Sequence, residues 1–175
     1  MAGPAASDRS NKDITSHSVD KSGRITLKQV HRDSIGATAI LTYGLRTSTR
    51  MFSPDKFEAY KAELLQYRDP IPFDPDWAEI SLQLLACTAT CNIDGQGRLR
   101  IPPTFLHRAG LDSPGSAEVE IVYRPEHDCW EIWPFGDPGK GHDPEDPFYQ
   151  ALVKVSERAR ALQQSAAQVT GGNDD

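Results

Sequence analysis

The sequence predicts an α+β fold, mainly β, in which one folding unit occurs twice. Three observations carry this reading. Val19-Asp20-Lys21-Ser22-Gly23-Arg24-Ile25-Thr26-Leu27 returns as Ile93-Asp94-Gly95-Gln96-Gly97-Arg98-Leu99-Arg100-Ile101, an apolar-Asp-x-x-Gly-Arg-apolar-x-apolar signature offset by 74 residues. Ile40-Leu41-Thr42-Tyr43 through Phe52-Ser53-Pro54 then runs parallel to Glu120-Ile121-Val122-Tyr123 through Ile132-Trp133-Pro134, offset by 80, and the six extra residues fit the loop around Asp112 to Ser116. Finally, short segments of period two alternate with stretches of helical period. Self-similarity of this kind marks one supersecondary unit duplicated within a chain, here a pseudo-dimer.

Each element follows from local chemistry. Residues 1–13 are small, polar and charged and predict a disordered arm. Ile14 to Val19 suits a strand, Asp20 to Gly23 a tight turn, and Arg24 to Leu27 a return strand with Ile25 and Leu27 on one face. Residues 29–35 suit a short helical connector. Thr38 to Tyr43 and Thr49 to Phe52 form a second strand pair. Ser53-Pro54 opens a helix, Ser as N-cap and Pro in the first turn, with Phe57, Tyr60, Leu64 and Leu65 as its apolar stripe. Asp69 to Pro75 holds three prolines in seven residues, a stiff linker. Asp76 to Ala86 resumes a helix that buries Trp77, Ile80, Leu84 and Leu85. The second copy repeats the plan: a hairpin around Asp94 to Gly97, a short helix from Pro102-Pro103 to Ala109-Gly110, and strands at Ala117 to Tyr123 and Cys129 to Trp133. A Gly/Pro/Asp-rich loop over 136–147 leads to a terminal helix, 148–164, with Leu152, Val155, Ala159 and Leu162 inward. The expected organisation is an arm (1–13), a first repeat with its helix (14–67), a linker and helix (68–86), a second repeat (87–135), a loop and helix (136–166) and a disordered tail (167–175).

The chain has 175 residues and a net charge of −6. Each half alone has too small a core to be comfortable, so each needs the other and, we expect, further copies of the chain. No apolar run is long enough to span a membrane, and the first residues do not read as a signal peptide. Three cysteines, Cys87, Cys91 and Cys129, fit a reducing cytoplasm better than a disulfide framework. Charge is unevenly spread. Arg9 to Arg32 holds six basic residues against two acidic ones, whereas Asp112 to Tyr149 holds ten acidic against two basic. That asymmetry suits one anion-binding face on an acidic protein.

The repeated motif supplies the chemistry for such a face. Arg24 and Arg98 emerge beside tight turns, opposite the buried Ile or Leu. A guanidinium fork pairs with phosphate or with the acceptor edge of guanine. A two-stranded ribbon is narrow enough for the major groove of B-form DNA. The candidate DNA-contacting residues are Arg24, Lys21, Lys28 and Arg32. Asp20, Gly23, Asp94, Gly97 and Arg98 are expected to be structural turn residues.

These copies, together with Pro102-Pro103, His107-Arg108-Ala109-Gly110-Leu111 and the closing Trp130-Glu131-Ile132-Trp133, resemble the MraZ family of bacterial transcription regulators within the wider AbrB-like swapped-hairpin group. The resemblance covers residues 14–165. It implies two AbrB-like units in one pseudo-symmetric β-barrel flanked by helices, with chains joined in a ring of eight or twelve. It also implies a cytoplasmic, nucleoid-associated repressor that binds direct repeats in double-stranded promoter DNA upstream of the cell-division and cell-wall genes, its own promoter included. The family's first Gly-Arg loop touches DNA, which puts Arg24 at the centre here with Lys21 beside it. The chain departs from the family in its added arm, in Lys28 where proline is usual, and in an unusually polar first strand pair, Thr38 to Phe52.

Rival readings are weaker. Cys87 and Cys91, with His107, His127 and His142, do not match a zinc spacing, so no metal or other cofactor is expected. Glu118, Glu120 and Glu131 lie on strands without partner chemistry and are expected on a solvated face, so no catalytic residue and no enzyme activity are expected. Trp130 and Trp133 fall on opposite faces of a strand, so at least one is expected between subunits or under the terminal helix. The alternative class is a protein-binding or antitoxin-like AbrB assembly module.

Overall fold

The computed structural model describes residues 14–44, 46–66, 74–111, 117–136, 145, 150, 151, 153–155, 157, 158 and 161. The expected arm, the linker over 67–73, the loop over 112–116, most of the acidic loop, Leu152, Ala159, Leu162 and the tail lie outside these residues. The elements run β1 (Ile14–Val19), β2 (Arg24–Thr26), α1 (Gln29–Ile35), β3 (Thr38–Tyr43), β4 (Thr49–Phe52), α2 (Pro54–Gln66), α3 (Pro75–Ser81), a π-helical turn (Leu82–Ala86), β5 (Thr88–Asn92), β6 (Arg98–Arg100), α4 (Pro103–Arg108), β7 (Ala117–Arg124) and β8 (Cys129–Pro134).

Strand pairing departs from a local hairpin. The turn after β1 closes on Arg24, but β1 then pairs antiparallel with β7, and β2 pairs antiparallel with β6. The full order is a six-stranded sheet, β1-β7-β8-β4-β3-β5, with a separate β2-β6 ribbon. The register obeys a pseudo-twofold. Ile14 faces Val122 as Thr88 faces Thr42, and Ser18 faces Glu118 as Asn92 faces Thr38. These are the offsets of 74 and 80 read in the sequence. Exchange of partners gives each small half the apolar area it lacks: Val19, Ile25, Leu27, Leu41 and Met51 share one buried cluster with Leu99, Ile101, Val119, Ile121, Trp130 and Ile132.

A second cluster lies under the helices. Phe52 stacks on Tyr60, and Phe57, Ile80, Leu84, Cys129, Ala151 and Val155 complete it. Residues 150, 151, 153–155, 157, 158 and 161 are helical, as the terminal helix required. Leu65 corrects the expected stripe of α2: it is 51% exposed, while Leu64 only flanks the cluster. The helix predicted over 76–86 changes pitch at Leu82, where the Cys87 N–H reaches back five residues to the Leu82 carbonyl. There the Thr42 hydroxyl donates to the Leu84 carbonyl at 2.8 Å, which explains one polar residue of the first strand pair.

Two further expectations are corrected. Glu131 is 2% exposed rather than solvated. Arg50 Nε donates to its Oε1 at 2.9 Å, and Arg124 Nε and Trp133 Nε1 donate to its Oε2 at 2.9 and 3.1 Å. Arg50 comes from β4 and Glu131 from β8, directly opposite in register, so the polar first strand pair and the acidic residue satisfy each other across the seam. Burial pushes the Glu131 carboxyl up, but the two guanidiniums outweigh it and hold it below its ordinary value. Trp130 and Trp133 are both buried within the chain, at 4% and 2% exposure, so neither is left for a subunit contact.

Candidate nucleic-acid interface

The two Asp-x-x-Gly-Arg turns are built alike. Asp20 Oδ1 accepts from the Ser22 and Arg24 N–H groups at 2.8 and 2.9 Å, and Asp94 Oδ1 accepts from those of Gln96 and Arg98, both at 2.9 Å. These backbone bonds are the leading reason both carboxyls sit below their usual range. Gly23 and Gly97 adopt φ of 73° and 76°, the left-handed region that favours glycine. A Cβ would also collide: at Gly23 with Leu106 Cδ1, 2.8 Å away, and at Gly97 with Arg32 Cδ, 2.9 Å away. Asp20, Gly23, Asp94 and Gly97 therefore form the turns.

The arginines differ. Arg98 Nε donates to Asp94 Oδ2 at 2.9 Å, whereas the Arg24 guanidinium has no side-chain hydrogen bond or ion pair among the described residues. In the ribbon Arg24 faces Arg100, Ile25 faces Leu99 and Thr26 faces Arg98. Ile25 and Leu99 are 0% exposed, so the alternation sends Arg24, Thr26, Arg98 and Arg100 to the opposite, outer face.

The four candidate cations are not one cluster. Lys21 and Arg24 stand at the first turn. The Leu27 N–H bonds the Gly97 carbonyl at 2.8 Å, so the chain leaves the ribbon against the second turn, and Lys28 follows at that contact. Arg32 lies over Gly97, its Nη2 donating to Gln29 and its buried Nε without an acceptor. Arg100, which the sequence reading passed over, joins Arg24 instead. The sequence signal for it was its place two residues beyond Arg98, on the same strand face.

Beneath the ribbon lies a directional hydrogen-bond chain that motif reading missed. The Lys28 N–H donates to His31 Nδ1 at 3.2 Å, which leaves His31 Nε2–H to donate to Thr15 Oγ1 at 3.1 Å. The Thr15 hydroxyl then donates to His17 Nε2 at 2.8 Å, and His17 Nδ1–H to the Thr26 carbonyl at 2.8 Å. The two steps in which a ring nitrogen accepts, at His31 Nδ1 and His17 Nε2, require neutral imidazoles. Burial pushes His31 down to about 4, with His17 and Lys28 adding repulsion, and burial also lowers His17. His31 meets Trp130 edge-on at 4.6 Å. Lys28 thus has a local reason: at the matching helix start Pro102 has no N–H, and Phe105 stands where His31 does.

Among the described residues no three of His, Cys, Asp and Glu are grouped to hold an ion, and His142 is outside them. Cys129 is buried with its thiol pushed up to about 12 by desolvation. Among the described residues, no helix is long and apolar enough to cross a membrane.

Residues 84–136 match the family model described as "MraZ protein, putative antitoxin-like". The chain is 28% identical over 117 residues to a protein of Lachnoclostridium phytofermentans named Transcriptional regulator MraZ, covering 67% of this chain and 76% of that protein. It is 27% identical over 142 residues to the like-named protein of Alkaliphilus metalliredigens, covering 81% and 92%. A third, from Acetivibrio thermocellus, is 32% identical over 97 residues, covering 55% and 65%. The family-model match falls on the second repeat, the copy that keeps Pro102-Pro103.

Proposed function

We propose that this chain is a transcriptional regulator of the MraZ kind, as its similarity to that family model and to the like-named relatives suggests, and that it binds double-stranded promoter DNA. The observation that carries the DNA-binding part is the outer face of the β2-β6 ribbon, where Arg24 has no side-chain hydrogen bond or ion pair among the described residues while its counterpart Arg98 is tied to Asp94. A solvent-facing guanidinium on a two-stranded ribbon suits phosphates and guanine edges in the major groove. Lys21 adds charge at the same turn, and Lys28 and Arg32 extend it towards the second turn. We read the target as direct repeats upstream of the cell-division and cell-wall genes, including the protein's own promoter, and the effect as repression in the cytoplasm at the nucleoid.

One loop offers few contacts, so a ring of chains presenting several first-repeat loops to several repeated boxes supplies the affinity through raised effective concentration. Phe135, Leu82 and Leu65, exposed and apolar, are candidates for contacts between copies. The test is binding of the purified chain to a duplex from immediately upstream of its own gene, titrated with salt. Binding that weakens steeply with salt and tracks the number and spacing of boxes supports the reading. Equal affinity for operator and scrambled duplex ends the sequence-specific part. Light scattering that finds only a 19.3 kDa particle ends the ring.

A further inference from the structure

The ribbon's outer face holds a second unpartnered cation, and its position is informative. Arg24 and Arg100 are direct antiparallel partners. Directly opposed residues on one face have Cβ atoms about 4.5–5.5 Å apart, and like charges there repel. Nature's usual remedy is a carboxylate between them. Arg98, which faces no other cation, has a carboxylate in Asp94, but among the described residues neither Arg24 nor Arg100 has an ion pair or side-chain hydrogen bond, Asp20 attracting Arg24 only through space. Both reach solvent, Arg100 being exposed and Arg24 partly so. The pseudo-twofold gives Arg100 the place of Thr26, so the doubled charge is peculiar to one end of the ribbon. At the other end Thr26 faces Arg98, whose charge is already neutralised.

Resting on the DNA-binding reading above, we propose that Arg24 and Arg100 of one chain form a clamp for a single backbone phosphate of the bound duplex, so that the second repeat contributes a DNA contact through Arg100. Two guanidinium forks can enclose the oxygens of one phosphate, and the anion cancels the repulsion that the free protein carries. The contact is electrostatic and indifferent to base sequence. It orients the ribbon, with the first turn and Lys21 beside it.

The test measures binding of wild type, Arg100→Ala and Arg100→Lys to the promoter duplex and to an unrelated duplex over a range of salt. Arg100→Ala is expected to weaken both duplexes by the same factor, tenfold or more at low salt. It should make the dependence of log K on log salt shallower by about 0.9 per engaged subunit. Arg100→Lys, which keeps the charge, should restore the slope. Without DNA, Arg100→Ala should melt about 1–3 °C higher than wild type, because the repulsion is gone. If wild type binds the promoter and Arg100→Ala binds it with unchanged slope, the clamp is wrong and the DNA-binding reading stands. A wild type that binds neither duplex overturns both. An Arg100→Ala protein that melts lower and loses its oligomer would show Arg100 to be structural, against the clamp.

Discussion

The two turns of this molecule share a sequence pattern and a backbone, yet their surroundings assign them different work. At the first, Asp20 spends its hydrogen bonds on backbone amides, Leu106 packs behind Gly23, and Arg24 is left to solvent. At the second, Asp94 binds the same amides and also Arg98, and a guanidinium, Arg32, lies over Gly97. The supports are exchanged, since α4 backs the first turn and α1 the second. The lesson is that a duplicated motif keeps its fold through local bonds while its binding capacity depends on what the other copy places beside it.

The largest expected effect comes from removing the freed arginine. Arg24→Ala should cost on the order of 1–3 kcal/mol of DNA binding per engaged subunit, which over several subunits eliminates a detectable shift in a gel, with oligomer size unchanged by light scattering. Arg98→Ala should do much less; equal loss from both would erase the distinction between the turns. The seam where the two repeats meet comes next. Glu131→Ala leaves Arg50 buried without its carboxylate and should destabilise the fold by about 3–5 kcal/mol in urea unfolding; Met51, the residue 80 positions earlier, has no charge to lose.

A smaller effect isolates the histidine chain, which the second repeat lacks. His31 titrates near 4 in the folded protein against 6.5 when unfolded, and His17 and His127 are lowered too. Folding therefore excludes protons. Stability is complete above about pH 6.5 and falls as pH drops towards 4, by roughly 1–2 kcal/mol from His31 between pH 7 and 5. Melting curves over that range should flatten in His31→Phe, which copies Phe105. A Tm slope that this substitution leaves untouched would remove the chain from the account. The smallest effect is on Arg98 itself. Its exposed pair with Asp94 should show only weak coupling in a double-mutant cycle, because solvent screens it, and no coupling at all would mean that the carboxylate serves the backbone amides alone.

Sequence alone determined the turns, the repeat and the inward residues of the repeated motif. Asp, Gly and Arg at fixed spacing satisfy one another within five residues, and Ile25, Leu27, Leu99 and Ile101 alternate on a period that needs no distant information. The α+β class followed from the same short-range rules. Only the tertiary structure decided which strand pairs with which, because β1 meets β7 across a hundred residues and nothing local distinguishes that partner from β2. It likewise decided that Glu131 is buried, since Arg50 lies 81 residues away, that both tryptophans are covered, and that Arg32 leaves the first turn for the second. Each of these depends on a neighbour supplied by the other repeat, and burial and charge pairing are properties of such neighbours rather than of the residue itself.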